Sequence, residues 1–468
     1  MVTSPPSSPP GNVILIVCDT LRADRLGLYG YDRPTSPFLD HLAAQSIVYE
    51  NAYSHYSYTW PTISNLFTGL PYSLLVKERG FTRPQQGGAG TGGGLTRRFP
   101  SLASKLLRRG VTSAGVSANP YVNSRLGFGR GFAGFHDVYS WDPQFWEHLH
   151  KYTGEEVNAV ALPLVERLRA SGGPWLLYLH YFDTHVPYQA PAGDRARFVD
   201  PQYHREGRFV DGYLRGRDGT VLKYLTDDVA GWIGSEDVRH LSDQYDAEIR
   251  HLDRALAQLF FALRDRGVLE DTTLVITADH GEAFMERRFW GHGFLSREEE
   301  ERVPMIVVPA ERLRRPAERV RAMTVTTTDV HYSVLAHFGA GAVNTSSPWW
   351  GAALLDSREL HPLGYTEGAY DAVILRDGRH SLYLYQALSG SDVPLPAANG
   401  EMLFDRSVDP GEIRDLFVSE PPKAAAIRRR LLDSLAQRGI RELPTSWGDP
   451  FDEADRETRK QLEALGYN

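Results

Sequence analysis

Short, unbroken apolar runs punctuate the chain at Val13–Cys18, Val111–Ser117, Trp175–Phe182, Thr273–Ala278 and Met305–Val308. None of them alternates with polar residues. A strand wetted on one face alternates and a strand covered on both does not, so these runs predict strands of a parallel sheet buried between two layers. Between them the period changes: Ile249, Leu252, Leu256, Leu259, Phe260 and Leu263 recur at helical spacing, and Gly267 closes that helix. Ser101–Arg109 and Thr328–Phe338 read as further helices. Strand and helix in alternation predict a doubly wound α/β layer.

Two segments interrupt the pattern. Gln85–Gly94 is glycine-rich, lacks the lysine of a phosphate-binding loop and follows no strand, so it reads as a surface loop. The polar, irregular stretch from about 195 to 237 reads as an insertion. After about Thr345 shorter runs appear, Ala372–Leu375 and Ser381–Tyr385, separated by Asp377-Gly378, which is hairpin chemistry. A helix follows from about Pro422 to Arg438. The expected organisation is a leader over 1–10, a catalytic α/β domain over 11–345 and a smaller C-terminal α+β subdomain over 346–468.

Composition narrows the classes. A chain of 468 residues with 42% hydrophobic and 24% charged positions can bury a large core. A net charge of −8 offers no basic footprint, so no nucleic-acid partner is expected. The only cysteine is Cys18, which excludes an intramolecular disulfide and a cysteine-based zinc site. Met1–Pro10 has neither a basic region nor an apolar stretch, and no run approaches the ~20 apolar residues of a membrane helix. A soluble, cytoplasmic protein with no membrane partner is the expectation.

Chemistry gathers at strand ends. Asp279-His280 follows Thr273–Ala278, and Asp19 follows Val13–Cys18. An aspartate at a strand end is most often a cap or turn residue. Two of them, one with a histidine beside it, are costly to bury without a partner, and a divalent cation is the obvious one. Thr59, two residues before Pro61, stands at a helix start, where an N-cap hydroxyl is the ordinary role.

The order of motifs then carries a resemblance. Asn12–Asp24 with Tyr29–Pro37, Thr59-Trp-Pro61 through Thr68-Gly69, His180-Tyr-Phe-Asp183-Thr-His185-Val-Pro-Tyr188, Tyr245-Asp-Ala-Glu248-Ile249, Ala278-Asp279-His280-Gly281-Glu282, Gly291-His292-Gly293, Arg302–Ile306 and Glu401–Asp405 with Asp409–Glu412 resemble the sulfatase family of the alkaline phosphatase superfamily, nearly end to end. The resemblance implies an alkaline-phosphatase-like, mostly parallel central sheet flanked by helices. It implies one divalent metal ion, Mn2+ or Zn2+ ahead of Mg2+ or Ca2+, on Asp19, Thr59, Asp279 and His280. It further implies Thr59 as nucleophile, His185 and His292 as catalytic and substrate-binding groups, and Asn119 beside the substrate. Asp183 orients a neighbour, binds metal or caps a turn; His55, His331 and His337 read as structural.

One departure redirects the chemistry. Family members that cleave sulfate esters mature a cysteine or serine of a Cys/Ser-x-Pro-x-Arg signature into formylglycine. Here Thr59, Trp60, Pro61, Thr62 and Ile63 occupy it. Threonine cannot give the aldehyde, and the position resembles the threonine of the superfamily's phosphodiesterases and phosphoethanolamine transferases. The preferred expectation is a metal-dependent phospho-ester hydrolase or transferase acting on a small anionic ester. A sulfuric-ester or sulfamate-type enzyme without formylglycine, and an inactive anion-binding pseudoenzyme, stand as alternatives.

Overall fold

The computed structural model describes residues 11–82, 94–137, 151–203, 209–210, 213–214, 233–287, 289–293, 296–311, 317–339, 364–368, 372–385 and 400–437. The leader, most of the glycine-rich loop, the 345/346 boundary and much of the 195–237 stretch lie outside them. At that stretch's edges, a helix at Ala192–Phe198 takes in its first residues and a helix starting at Ser235 its last.

Eight strands form the central sheet: β1 (Asn12–Cys18), β2 (Ile47–Tyr53), β3 (Thr112–Ser117), β4 (Gly134–Asp137), β5 (Trp175–Tyr181), β6 (Thr272–Ala278), β7 (Met305–Val308) and β8 (Glu318–Thr326). Their order is β8-β2-β7-β6-β1-β5-β3-β4. Every pairing is parallel except the two made by β7, which runs antiparallel to β6 and β2. The expected strands are all present. The sheet is mixed, though, because Met305–Val308 enters against its neighbours.

Both faces of β1 are covered, as its unbroken apolar run requires. Ile14, Ile16 and Cys18 face one core, shared with α3 (Gly154–Ala170) and α4 (Ser235–Asp265). Val13, Leu15 and Val17 face the other, shared with α1 (Thr59–Thr68), α2 (Leu102–Leu107) and α5 (Thr327–His337). No helix among the described residues is long and apolar enough to cross a membrane.

The C-terminal part is a four-stranded antiparallel sheet of β9 (Gly364–Gly368), β10 (Ala372–Arg376), β11 (His380–Tyr385) and β12 (Glu401–Asp405). Leu375, Leu382, Leu384 and Leu403 pack on one side against Ala424, Leu431 and Leu435 of α6 (Pro421–Gln437). Polar groups dock this sheet on the larger domain. Arg376 reaches Glu301 at 2.8 Å, and Glu367 accepts from Ser73 N and Ser73 Oγ.

Register decides where the chemistry falls. Cys18 is paired with Ala278 on one side and Tyr181 on the other, so Asp19, Asp279 and the residues after Tyr181 emerge side by side. Ser117 pairs with His180, which brings Asn119 to the same edge. Carboxyl ends of parallel strands are where such sheets bind ligands.

Candidate active site

Asp19 leaves β1 with its N–H on the Tyr181 carbonyl at 3.0 Å. The chain then turns through Thr20, a β-branched residue held at φ 54. That left-handed conformation is costly for a branched side chain. It aims Thr20 N–H at Asp279 Oδ1, 3.2 Å away, while Tyr245 OH donates to the Thr20 carbonyl at 2.7 Å. Asp279 and His280 leave β6 into Gly281, where a side chain is impossible: a Cβ there would sit 2.3 Å from the Glu299 carbonyl oxygen.

Thr59 is the first residue of α1, not its N-cap. Tyr58 takes that place with extended backbone and no side-chain cap bond. Freed from capping, Thr59 Oγ1 lies 3.2 Å from His280 Nε2. His280 Nδ1 contacts the Gly281 carbonyl at 2.9 Å. A carbonyl only accepts, so Nδ1 carries the proton and Nε2 turns its lone pair toward Thr59.

Asp19, Thr59, Asp279 and His280 are each 0% exposed. Asp19, Asp279 and His280 present ligand atoms all within 4.8 Å of one another. Asp19 Oδ1 and Asp279 Oδ2, both buried, have no hydrogen-bond partner. Burial and the neighbouring Asp19 push the Asp279 carboxyl up. For Asp19 burial acts the same way, but the surrounding histidines outweigh it and hold that carboxyl below its usual range. Two adjacent carboxylates with orphaned oxygens, an imidazole lone pair and a hydroxyl fit a divalent cation.

A residue the sequence reading passed over stands beside them. His180, the sixth residue of β5, places Nε2 3.3 Å from Asp19 Oδ2 and 3.9 Å from Asp279 Oδ2. Burial keeps the Tyr178 phenol protonated, so its hydroxyl can donate to His180 Nδ1, 2.9 Å away. A histidine inside an apolar strand was the available signal. Thr184 Oγ1, also unremarked, donates to the Asp19 carbonyl.

Asn119 reaches the site, where it bonds Asp19 and the backbone of Tyr121. Nδ2 donates to Asp19 Oδ2, and Oδ1 accepts from Tyr121 N at 2.6 Å. It orients the carboxylate. His185 and His292 do converge, with ring centroids 5.3 Å apart and His292 4.3 Å from His280. His185 Nδ1 lies 2.5 Å from the Val186 carbonyl, and burial pushes its pKa down to about 4. His292 Nδ1 lies 3.0 Å from Glu282 Oε1. The three histidines read as structural contact the scaffold: His55 faces Glu367, His331 contacts the Leu66 carbonyl and His337 that of Gly11.

The sulfatase family profile matches residues 11–340. The chain belongs to the sulfatase family. Members of this family are hydrolases of the alkaline phosphatase superfamily that bind a divalent metal, and the sheet, the helices and the small C-terminal sheet are those of their fold. Mouse iduronate 2-sulfatase is 23% identical over 347 residues, covering 65% of this chain and 61% of that protein. The chain thus spans about three fifths of that relative's length. Among solved structures, the phosphonate monoester hydrolase of Agrobacterium radiobacter superposes with a TM-score of 0.68 at 18% identity, over 92% of this chain and 96% of that one. The phosphonate monoester hydrolase of Silicibacter pomeroyi gives 0.65 at 19% identity, over 92% and 96%.

Proposed function

We propose that this chain is a metal-dependent phospho-ester hydrolase or transferase whose nucleophile is Thr59. The observation that carries the reading is the Thr59 hydroxyl. It sits at the N-terminus of α1, 3.2 Å from His280 Nε2, where formylglycine chemistry would need cysteine or serine. The helix terminus favours an anionic tetrahedral group beside it. A divalent cation on Asp19, Asp279, His280 and Thr59, Mn2+ or Zn2+ ahead of Mg2+ or Ca2+, would supply the charge that acidifies the hydroxyl and offsets that of the transferred group.

In the proposed reaction the Thr59 oxygen attacks phosphorus in line. A P–O bond to Thr59 forms as the bond to the leaving alcohol breaks with its electron pair on the departing oxygen. His292, backed by Glu282, protonates that oxygen. His185 is neutral, with Nδ1 against a carbonyl, and its Nε2 takes the proton given up by Thr59. When water or a second alcohol then attacks the phospho-threonine, the now neutral His292 takes that nucleophile's proton and His185 returns its own to the departing Thr59 oxygen. That attack releases Thr59. The substrate class is a small anionic ester, and we place the enzyme in the cytoplasm.

A second reading keeps a sulfuryl group as substrate, with the same threonine as direct nucleophile; the likeness to iduronate 2-sulfatase supports it. Parallel assays on a phosphate diester, a phosphonate monoester and a sulfate ester of one phenol separate the two. An inert protein that stays metal-free after incubation with Mn2+ or Zn2+ and dialysis would support the pseudoenzyme instead.

A further inference from the structure

The segment that carries His185 runs from Asp183 to Gln189, and a single ammonium holds it near both ends. Lys151 is buried, and its Nζ donates to the carbonyl of Asp183 and, at 2.9 Å, to that of Pro187. The third partner of Nζ is Glu248 of α4 at 3.3 Å. Glu248 Oε1 also accepts from Gln189 N, just beyond the second anchored carbonyl. The Asp183 side chain is fixed in turn. Its Oδ1 accepts from Gly154 N at the start of α3 at 2.8 Å and faces His251 Nδ1 at 3.6 Å, with Glu155 3.0 Å from His251 Nε2.

Such an arrangement is hard to explain by stability. Lys151 and Glu248 are both nearly inaccessible to solvent, and burial disfavours the charged form of each. A buried ion pair is commonly no more stabilising than apolar side chains of the same volume. What it adds is direction. An ammonium bonded to two chosen carbonyls and one carboxylate fixes the path of the backbone between them, which packing alone would leave looser. The residue at the centre of that path is His185, whose own Nδ1 is already tied to the Val186 carbonyl.

We propose that Lys151 and Glu248 are positioning residues, a buried clamp that sets the His185 imidazole against the reacting group. The proposal rests on the reading of His185 as a proton acceptor in the reaction. The hydrogen bonds and the ion pair of the two clamp residues go to the loop and to each other, so they act through the loop.

The test uses the full-length, metal-loaded protein carrying Lys151→Met/Glu248→Leu, which strands neither charge, with and without His185→Ala. With an aryl phosphodiester, the clamp variant is expected to lose about 10- to 100-fold in kcat with little change in KM. In the His185→Ala background it should cost less than about 3-fold more, because the effect passes through that ring. The 15N ring signals of His185 should shift or broaden while those of His292 stay in place. Retained kcat, losses that multiply with His185→Ala, or an unmoved His185 signal would overturn the clamp. Were the proposed reaction itself wrong, the His185 signal would still move in the clamp variant, so the two failures are distinguishable.

Discussion

Glu282 Oε1 lies 3.0 Å from His292 Nδ1, a carboxylate set against one nitrogen of the ring. His185 has a carbonyl in the corresponding place. A carboxylate holds the protonated ring from which an acid must start and a carbonyl does so far less, so the two histidines are unlike partners: His292 suits the acid and His185, which starts neutral, the proton acceptor.

That asymmetry has a kinetic consequence. His292→Ala should lower kcat by about 100- to 10,000-fold for a substrate with a poor leaving group. The loss should shrink for an activated nitrophenyl ester, whose oxygen departs without a proton. Glu282→Gln should fall between wild type and His292→Ala. Equal losses on both substrates would remove His292 from the acid role.

His185 gives a pH dependence with a defined sign. Its folded pKa is about 4 against an ordinary 6.5, so the unfolded chain binds the proton first. The stability it contributes is therefore complete above 6.5 and is lost as pH falls toward 4. By linkage, the metal-free wild type should lose about 2 kcal/mol more than His185→Gln between pH 8 and pH 5. Urea midpoints at the two pH values measure the difference; parallel losses would contradict it.

Cation binding should be visible in stability as well as in rate. Two crowded carboxylates relieved by a bound ion predict a higher Tm with Mn2+ or Zn2+, from a stabilisation of about 3 kcal/mol at a hundredfold excess over Kd. Asp279→Asn should abolish most of that gain. A gain of the same size in the variant would place the metal elsewhere.

The C-terminal sheet is docked by a buried polar joint. Arg376 bonds Glu301 and Thr366, each at 2.8 Å, and Tyr383 at 3.1 Å. Burial pushes the Glu301 carboxyl up to about 8 even beside Arg376, so removing the guanidinium leaves a neutral acid. Arg376→Met should then cost about 1–3 kcal/mol, the range for unsatisfied buried groups, instead of the roughly 3–5 of a stranded charge. Thermal unfolding with and without Glu301→Leu checks it.

The strands that build the site were legible because they are buried on both faces and end in chemistry. β1 and β6 are unbroken apolar runs that stop at Asp19 and Asp279. β2 and β8 escaped notice. Glu50 and Asn51 break the apolar run of β2, while β8 pairs along one side only and tolerates Glu318, Arg319 and Arg321. The reversed direction of β7 was invisible, since an apolar run carries no sign of its sense. In the site, Asp19, Thr59, Asp279 and His280 were found from their places at element ends and the family resemblance. His180 was hidden because a strand histidine counts first as core, and the clamp because Lys151 and Glu248 meet only through the fold.

The most direct test of the proposed chemistry is turnover of an aryl phosphodiester by Thr59→Ala beside wild type, with bound metal measured in both. We expect the variant to keep at least part of its metal through Asp19, Asp279 and His280 and to lose at least about 1,000-fold in turnover. Turnover at the wild-type rate in a metal-loaded Thr59→Ala protein would contradict a threonine nucleophile outright.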